Sequence, residues 1–262
     1  MQDKIRQTAR ELLSSGAVTT VIGYGEGSEK RVRAVFIRNS NDTGRLVMDE
    51  RCQQNLGVYL TKQEVRALGK PAIIAREPVM LTIQQLVYEE QIKEGDVVVI
   101  GVSQDGRVLD FPDMKSLTEY LSTISRKLSP EELATVDKLE KMTREERWNF
   151  WLEETSNCIK CYACRASCPM CYCPRCTVEC NQPQWISVPA HGLGNLEWHI
   201  MRAMHLAGRC VNCGECFRAC PVKIPVNLLT QRIILDIANN FGEDGVYALA
   251  TFKPEDKEDF IR

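Results

Sequence analysis

Residues 158–176 read CIKCYACRASCPMCYCPRC, seven cysteines in nineteen positions, with Cys180 shortly after. Thiolate sulfur at this density is a ligand set for a soft metal, either iron–sulfur clusters or zinc. The spacing discriminates between them. Cys158, Cys161, Cys164 and Cys168 follow C-x2-C-x2-C-x3-C and precede Pro169. Cys210, Cys213, Cys216 and Cys220 repeat the pattern, each displaced by 52 positions, and precede Pro221. Three thiolates two residues apart wrap one face of a cuboidal cluster, and where two such runs occur the fourth cysteine of each ligates the other run's cluster. On that rule one 4Fe–4S cluster takes Cys158, Cys161, Cys164 and Cys220, and a second takes Cys210, Cys213, Cys216 and Cys168. Structural zinc is usually built on paired C-x2-C knuckles rather than on triplets. The prolines, with a fixed φ and no N–H, suit a sharp exit from each loop.

Four further cysteines, Cys171, Cys173, Cys176 and Cys180, are spaced C-x-C-x2-C-x3-C. They could fold round a third iron–sulfur cluster or a zinc ion, or serve as buried thiols shielding the neighbouring clusters, since free cysteine behaves as a small hydrophobe. The spacing leaves those readings open. Between 158 and 223 seven basic residues face three acidic ones, so this stretch is +4 within a chain of net charge −2. Nearby cations and N–H groups raise the potential of an anionic thiolate-bound cluster.

The elements that must position these residues can be read from periodicity and caps. Residues 194–208, GNLEWHIMRAMHLAG, read as a helix with Asn195 as cap, an apolar stripe at Leu196, Ile200, Met204 and Ala207, and Gly208 as stop. A second helix is expected over 225–240, with Gly242 past its end. His199 and His205 on the first helix are assigned to packing or surface, because cysteines already fill both clusters, and Trp185 and Trp198 to core or interface anchoring. Upstream, Ser129-Pro130 with Glu132, and Thr143 with Glu146, are capping boxes that open two connector helices. The second carries Trp148, Trp151 and Leu152 as a docking stripe just ahead of Cys158.

The first 111 residues read α/β. A helix closed by Gly16 is followed by two strands in TTVIGYGEGSEKRVRAVFIR. The GYGEG piece precedes a β-rich run rather than a helix, so it is a hairpin turn and not a phosphate loop. A helix is expected near CQQNLGVYL, then a strand–helix–strand unit over 71–75, 79–92 and 96–102, implying a parallel pair. Ligands in such sheets favour the carboxyl ends of strands, here Ala75-Arg76-Glu77-Pro78, which lacks a glycine-rich loop.

The expected fold is therefore α+β. An α/β domain spans 1–111, a helical connector 112–157, a helical two-cluster domain 158–242 and a tail 243–262. With 33 basic and 35 acidic residues the chain shows no nucleic-acid signature. It has no apolar run approaching the roughly 20 residues of a membrane span, and no amino-terminal apolar segment of the secretory kind. A soluble, cytoplasmic chain is expected, in which thirteen cysteines stay reduced rather than paired as disulfides.

At this point the residues carry a resemblance. VIGYGEG, AVFIR, DERCQQNLGVYL and EEQIKEGDVVVIGV together resemble the beta-subunit family of deazaflavin-reducing hydrogenases. REERWNFWLEETSNCIKCYACRASCP and HLAGRCVNCGECFRACP are similar to the two-cluster ferredoxin-type members of that family. The resemblance implies redox partner subunits of heterodisulfide-reductase-like, hydrogenase or formate-dehydrogenase-like complexes in anaerobes. Flavin-binding members carry a Lys-Gly-Cys-Asp-x-Arg loop after a central strand. Here Arg76-Glu77-Pro78-Val79-Met80-Leu81 stands in that place, without its cysteine or final arginine, so no catalytic residue is carried over. The expected function is an electron-transfer subunit. The alternative is a reductase subunit with FAD in the N-terminal domain.

Overall fold

A computed structural model of the chain describes residues 1–124, 128–174, 176, 178 and 185–242. A mixed sheet with flanking helices forms the N-terminal part, and the cysteine-rich loops lie among helices in the C-terminal part. Helix α1 (Gln2–Ser14) buries Ile5 and Ala9, and Gly16 follows it at φ +72°, a left-handed turn that side chains with a Cβ resist. Strands β1 (Thr20–Glu26) and β2 (Val32–Ile37) form the expected hairpin, with Val21 opposite Ile37. GYGEG lies in β1 and the turn after it. The two-residue β3 (Leu46–Val47) also pairs with β1.

The CQQNLGVYL segment departs from expectation. It makes a single 3-10 turn, Leu56–Tyr59, and the short helix α2 (Gln63–Arg66) follows. Tertiary hydrogen bonds hold the segment out of a longer helix. The Asn55 side chain accepts from Gly57 N at 3.0 Å and donates to Pro78 O and Thr82 Oγ1, while Tyr24 Oη donates to Gln54 O.

The strand–helix–strand unit is present as β4 (Pro71–Ala75), α3 (Glu77–Tyr88) and β5 (Val98–Val102). Strand β4 pairs in parallel with β5 on one side and with β1 on the other. Ala72–Ala75 and Val99–Val102 are buried without interruption, the continuous apolar pattern of strands covered on both faces. A short β6 (Val108–Asp110) and helix α4 (Met114–Ser122), opened by an Asp113 capping box, were not anticipated.

Both expected capping boxes form, on α5 (Pro130–Glu140) and α6 (Arg144–Ser156). The docking stripe of α6 is corrected. Trp148 is exposed, and Phe150 and Trp151 meet edge to face with ring centroids 5.1 Å apart, beside Leu139 and Leu228. Further helices among the described residues are α7 (Ala163–Ala166), α8 (Gly192–His205), α9 (Glu215–Arg218) and α10 (Asn227–Phe241). Helix α8 packs along α6, and α5 against α10.

Helix α8 is the main correction. His191, not Asn195, caps it, and the expected apolar stripe is only partly inside, because Ile200 and Met204 are exposed. Its buried face instead carries Asn195, Leu196, Trp198, His199, Arg202 and Ala203. Polar side chains can lie inward here because the cysteine loops supply hydrogen-bond partners. Trp198 is buried as an anchor; Trp185 is exposed.

The two parts of the chain are joined at the end of α3. Arg209 Nε and Nη2 grip the Glu89 carboxylate at 2.7 and 2.6 Å, Tyr172 Oη donates to the same group, and the guanidinium lies over the Tyr172 ring. Burial works to raise Glu89, but these bonds outweigh it and hold its carboxyl below the usual carboxylate range. The expected tail at 243–262 lies outside the described residues. Among the described residues, no helix is long and apolar enough to cross a membrane.

Candidate metal centres

The two cysteine runs share a backbone conformation as well as a spacing. Lys160 and Asn212 stand at φ +50° and +49°, Tyr162 and Gly214 at +59° and +71°, and each pair is separated by the same 52 positions. A four-residue helix follows in each run, α7 and α9. Positive φ at Lys, Tyr and Asn is sparsely populated and must be held by its surroundings. What it achieves is to turn backbone N–H groups toward sulfur. Lys160 N lies 3.4 Å from Cys158 Sγ, Ile224 N lies 3.4 Å from Cys220 Sγ, and Asn212 N donates to the Cys210 sulfur.

Tertiary structure sorts the eight thiols into two neighbouring groups. Cys158, Cys161, Cys164 and Cys220 line one small cavity, walled by Trp198 and Ile224. Cys164 and Cys220 are buried there, while Cys161 is exposed. Burial pushes Cys164 up to about 12, and it raises Cys158, to which charge on Cys161 and Cys220 adds. In the other group burial pushes Cys210 up to about 12, with Cys168 and Cys216 as its charged neighbours, and raises Cys213 and Cys216, each of which also feels Cys168. Cys220 thus lines the cavity of the first run, and Cys168 is a neighbour of Cys210, Cys213 and Cys216.

Arg202 tests whether this arrangement fits thiolate-bound clusters. Its side chain is buried between the groups, Nη2 donates to Cys164 O at 2.9 Å, and among the described residues Nε has no hydrogen-bond partner. Burial opposes its charge, and the ionisable groups that sustain it are the thiols of Cys168, Cys171, Cys164 and Cys216. Among the described residues no carboxylate pairs with it. A buried cation without an anion costs several kcal/mol, so this site fits anionic sulfur ligation from both groups.

Helix α8 supplies two more residues that sequence reasoning missed. His199, assigned to packing or surface, is buried with Nε2 3.4 Å from Cys158 Sγ. Burial, then the Arg202 and Lys160 charges, push it down to about 4, so the imidazole is neutral. Asn195, assigned as a cap, donates from Nδ2 to Thr155 O and Cys158 O at 3.0 and 2.9 Å, tying the first run to α6. A readable signal existed: 195, 199 and 202 are polar at helical spacing between two cysteine runs. His205 is exposed.

Of the four remaining cysteines, Cys180 lies outside the described residues. Cys171, Cys173 and Cys176 line a cavity of about 630 Å³ together with Tyr172, Trp198 and Arg202. The Cys171 and Cys168 thiols hydrogen-bond to each other, which raises the first and lowers the second. Cys173 is exposed. Among the described residues, no three His, Cys, Asp or Glu side chains stand close enough to hold a single metal ion.

A second cavity, of about 600 Å³, opens at the carboxyl ends of β1, β4 and β5. Tyr24, Arg76, Ser103 and Arg218 line it, and Cys213 of the second group reaches its wall. Burial raises the Tyr24 phenol well above its ordinary value, with Cys52 adding to the effect, so it is a neutral donor.

No protein-family model matches the chain. It is 28% identical over 154 residues to F420-dependent formate dehydrogenase subunit beta of Methanocaldococcus jannaschii, a match that covers 57% of this chain and 39% of that protein. It is also 28% identical over 171 residues to F420-dependent formate dehydrogenase 1 subunit beta of Methanococcus maripaludis, covering 64% and 41%. The chain spans about two-fifths of the length of these curated relatives.

Proposed function

We propose that the chain is an electron-transfer subunit of a larger oxidoreductase, in which two bound 4Fe–4S centres supply one-electron redox chemistry. Cys158, Cys161, Cys164 and Cys220 would hold one centre, and Cys210, Cys213, Cys216 and Cys168 the other. The observation that carries this reading is Arg202, a buried guanidinium whose available anions are thiolates of both groups. Around it the chain's own groups do what such sites require. Lys160 N, Ile224 N and Asn212 N donate to sulfur, and the apolar wall of Trp198 and Ile224 keeps water from the inner thiols. Cys161 would be the exposed ligand of the first group, and Cys213 lines the cavity of the sheet. Likeness to formate dehydrogenase beta subunits supports dehydrogenase, hydrogenase or heterodisulfide-reductase-like partners, in a reducing cytoplasmic setting that suits unpaired thiols.

Anaerobic isolation followed by iron and acid-labile sulfide analysis tests the reading. About eight irons per chain are expected for two centres, and about twelve if Cys171, Cys173, Cys176 and Cys180 ligate a third. Zinc without labile sulfide would overturn it.

The sheet cavity favours a second reading, a reductase subunit with FAD. Its volume of about 600 Å³ is within the range of cofactor sites, it occupies the carboxyl ends of parallel strands, and Arg76 and Arg218 offer cations at its wall. Stoichiometric flavin released from the isolated subunit would establish this reading over the relay alone.

A further inference from the structure

We infer that His199 is a tuning residue for the first cysteine group: its Nε2–H donates to the Cys158 sulfur and raises the reduction potential of the centre held there. This rests on the two-centre reading above. The ring is 3% exposed, Nε2 lies 3.4 Å from Cys158 Sγ, and Trp198 stands against it edge to face at 4.9 Å between centroids. A metal-bound thiolate accepts hydrogen bonds and donates none, so this contact selects the tautomer protonated at Nε2. Nδ1, buried and without a partner among the described residues, is then a bare lone pair rather than a stranded N–H.

An N–H donated to sulfur withdraws electron density and favours the more reduced, more negative state, so it raises the potential. Backbone N–H groups serve both groups: Ile224 N reaches Cys220 in the first, and in the second donors also reach Cys213, Cys216 and Cys168. Lys160 N serves Cys158 as Asn212 N serves Cys210, at equivalent positions of the repeat. The side-chain contribution is not matched. Opposite Cys210 stands Thr230, whose one hydroxyl proton is also directed to Asn227 O at 2.9 Å. Arg202 adjoins both groups and cannot separate them. The side-chain donors differ in kind: an imidazole N–H at Cys158, against the Thr230 hydroxyl engaged elsewhere at Cys210 and the Cys171 thiol at Cys168.

The test is an EPR-monitored redox titration of the full chain, anaerobically reconstituted, as wild type, His199→Phe, His199→Gln, His199→Met and Thr230→Val. In His199→Phe, iron content should hold while one midpoint moves negative and the other stays. His199→Gln, which keeps an N–H at the same reach, should return most of that shift, and Thr230→Val should leave the shifted centre untouched. Unchanged midpoints in His199→Phe, or equal movement of both, would overturn the assignment. If His199→Phe does not load iron, the other pair decides: wild-type midpoints in both Gln and Met variants overturn it, and a negative shift in Met alone supports it. A wild-type chain with no labile sulfide, or with far fewer than about eight irons, refutes the two-centre reading instead, so the two failures are distinct.

Discussion

Arg202 brings a full charge into a place where, among the described residues, no carboxylate meets it and its Nε has no hydrogen-bond partner. In the iron-free chain that is a liability, and on the two-centre proposal thiolate-bound metal beside it would neutralise the same charge. Arg202→Met is therefore expected to leave the iron-free chain within about 1 kcal/mol of wild type or more stable, the loss being one hydrogen bond to Cys164 O. The stabilisation gained on iron loading should shrink. Thermal unfolding before and after reconstitution reads both numbers, and an undiminished gain would refute the charge argument. The crossed grouping makes a second prediction at this scale. Cys220→Ser is expected to damage the centre built on Cys158, and Cys168→Ser the one built on Cys210, each leaving about four irons. EPR showing that Cys220→Ser removes only the centre of its own run would refute the crossing.

At the scale of elements, α8 works as a beam that holds the first run. Asn195 bonds two carbonyls, Thr155 O at the end of α6 and Cys158 O at the start of the run. Asn195→Ala leaves both carbonyls without that donor in a buried site and is expected to cost about 1–3 kcal/mol, measured by denaturant unfolding of the iron-free chain. The joint at the end of α3 is a different device, a nearly buried ion pair. Glu89→Gln should cost about 3 kcal/mol, because Arg209 then stays buried without its anion. The Glu89 carboxyl is lower in the folded chain than its ordinary 4.5, so its contribution is present above pH 4.5 and is lost as pH falls through the lower folded value. Acid unfolding of wild type and Glu89→Gln should converge below that window, and parallel curves would show that the pair does not contribute.

For the whole molecule, the sheet and the second cysteine run share one apolar core, and the loops add contacts of another kind. The core through β1, β4 and β5 extends to Met170, Leu206 and Val211, a separate cluster of Cys164, Trp198, Cys220 and Ile224 serves the first run, and N–H···S contacts hold the loops themselves. Removing iron from the loaded chain with a chelator should therefore speed amide exchange over 158–171 and 210–224 and leave β4 and β5 protected. Uniform loss of protection across the sheet would show that the two parts unfold as one unit.

Cysteine spacing alone made the two repeated runs legible, and the backbone repeats with it, Lys160 and Tyr162 matching Asn212 and Gly214 in their positive φ. Helix ends at Ser129 and Thr143, and the β4–α3–β5 unit, were equally legible, since caps and apolar runs act locally. Helix α8 was misread because apolarity was taken as the mark of the inner face. Ile200 and Met204 face out, while Asn195, His199 and Arg202 turn toward sulfur and carbonyl partners far away in sequence. The 3-10 turn at Leu56–Tyr59 was missed for the same reason, its backbone being claimed by Thr82 and Pro78 through Asn55. Which thiols stand together, which cation lies between them, and which imidazole touches sulfur were decided by tertiary structure, because those relations depend on what chain folding brings within a few ångströms.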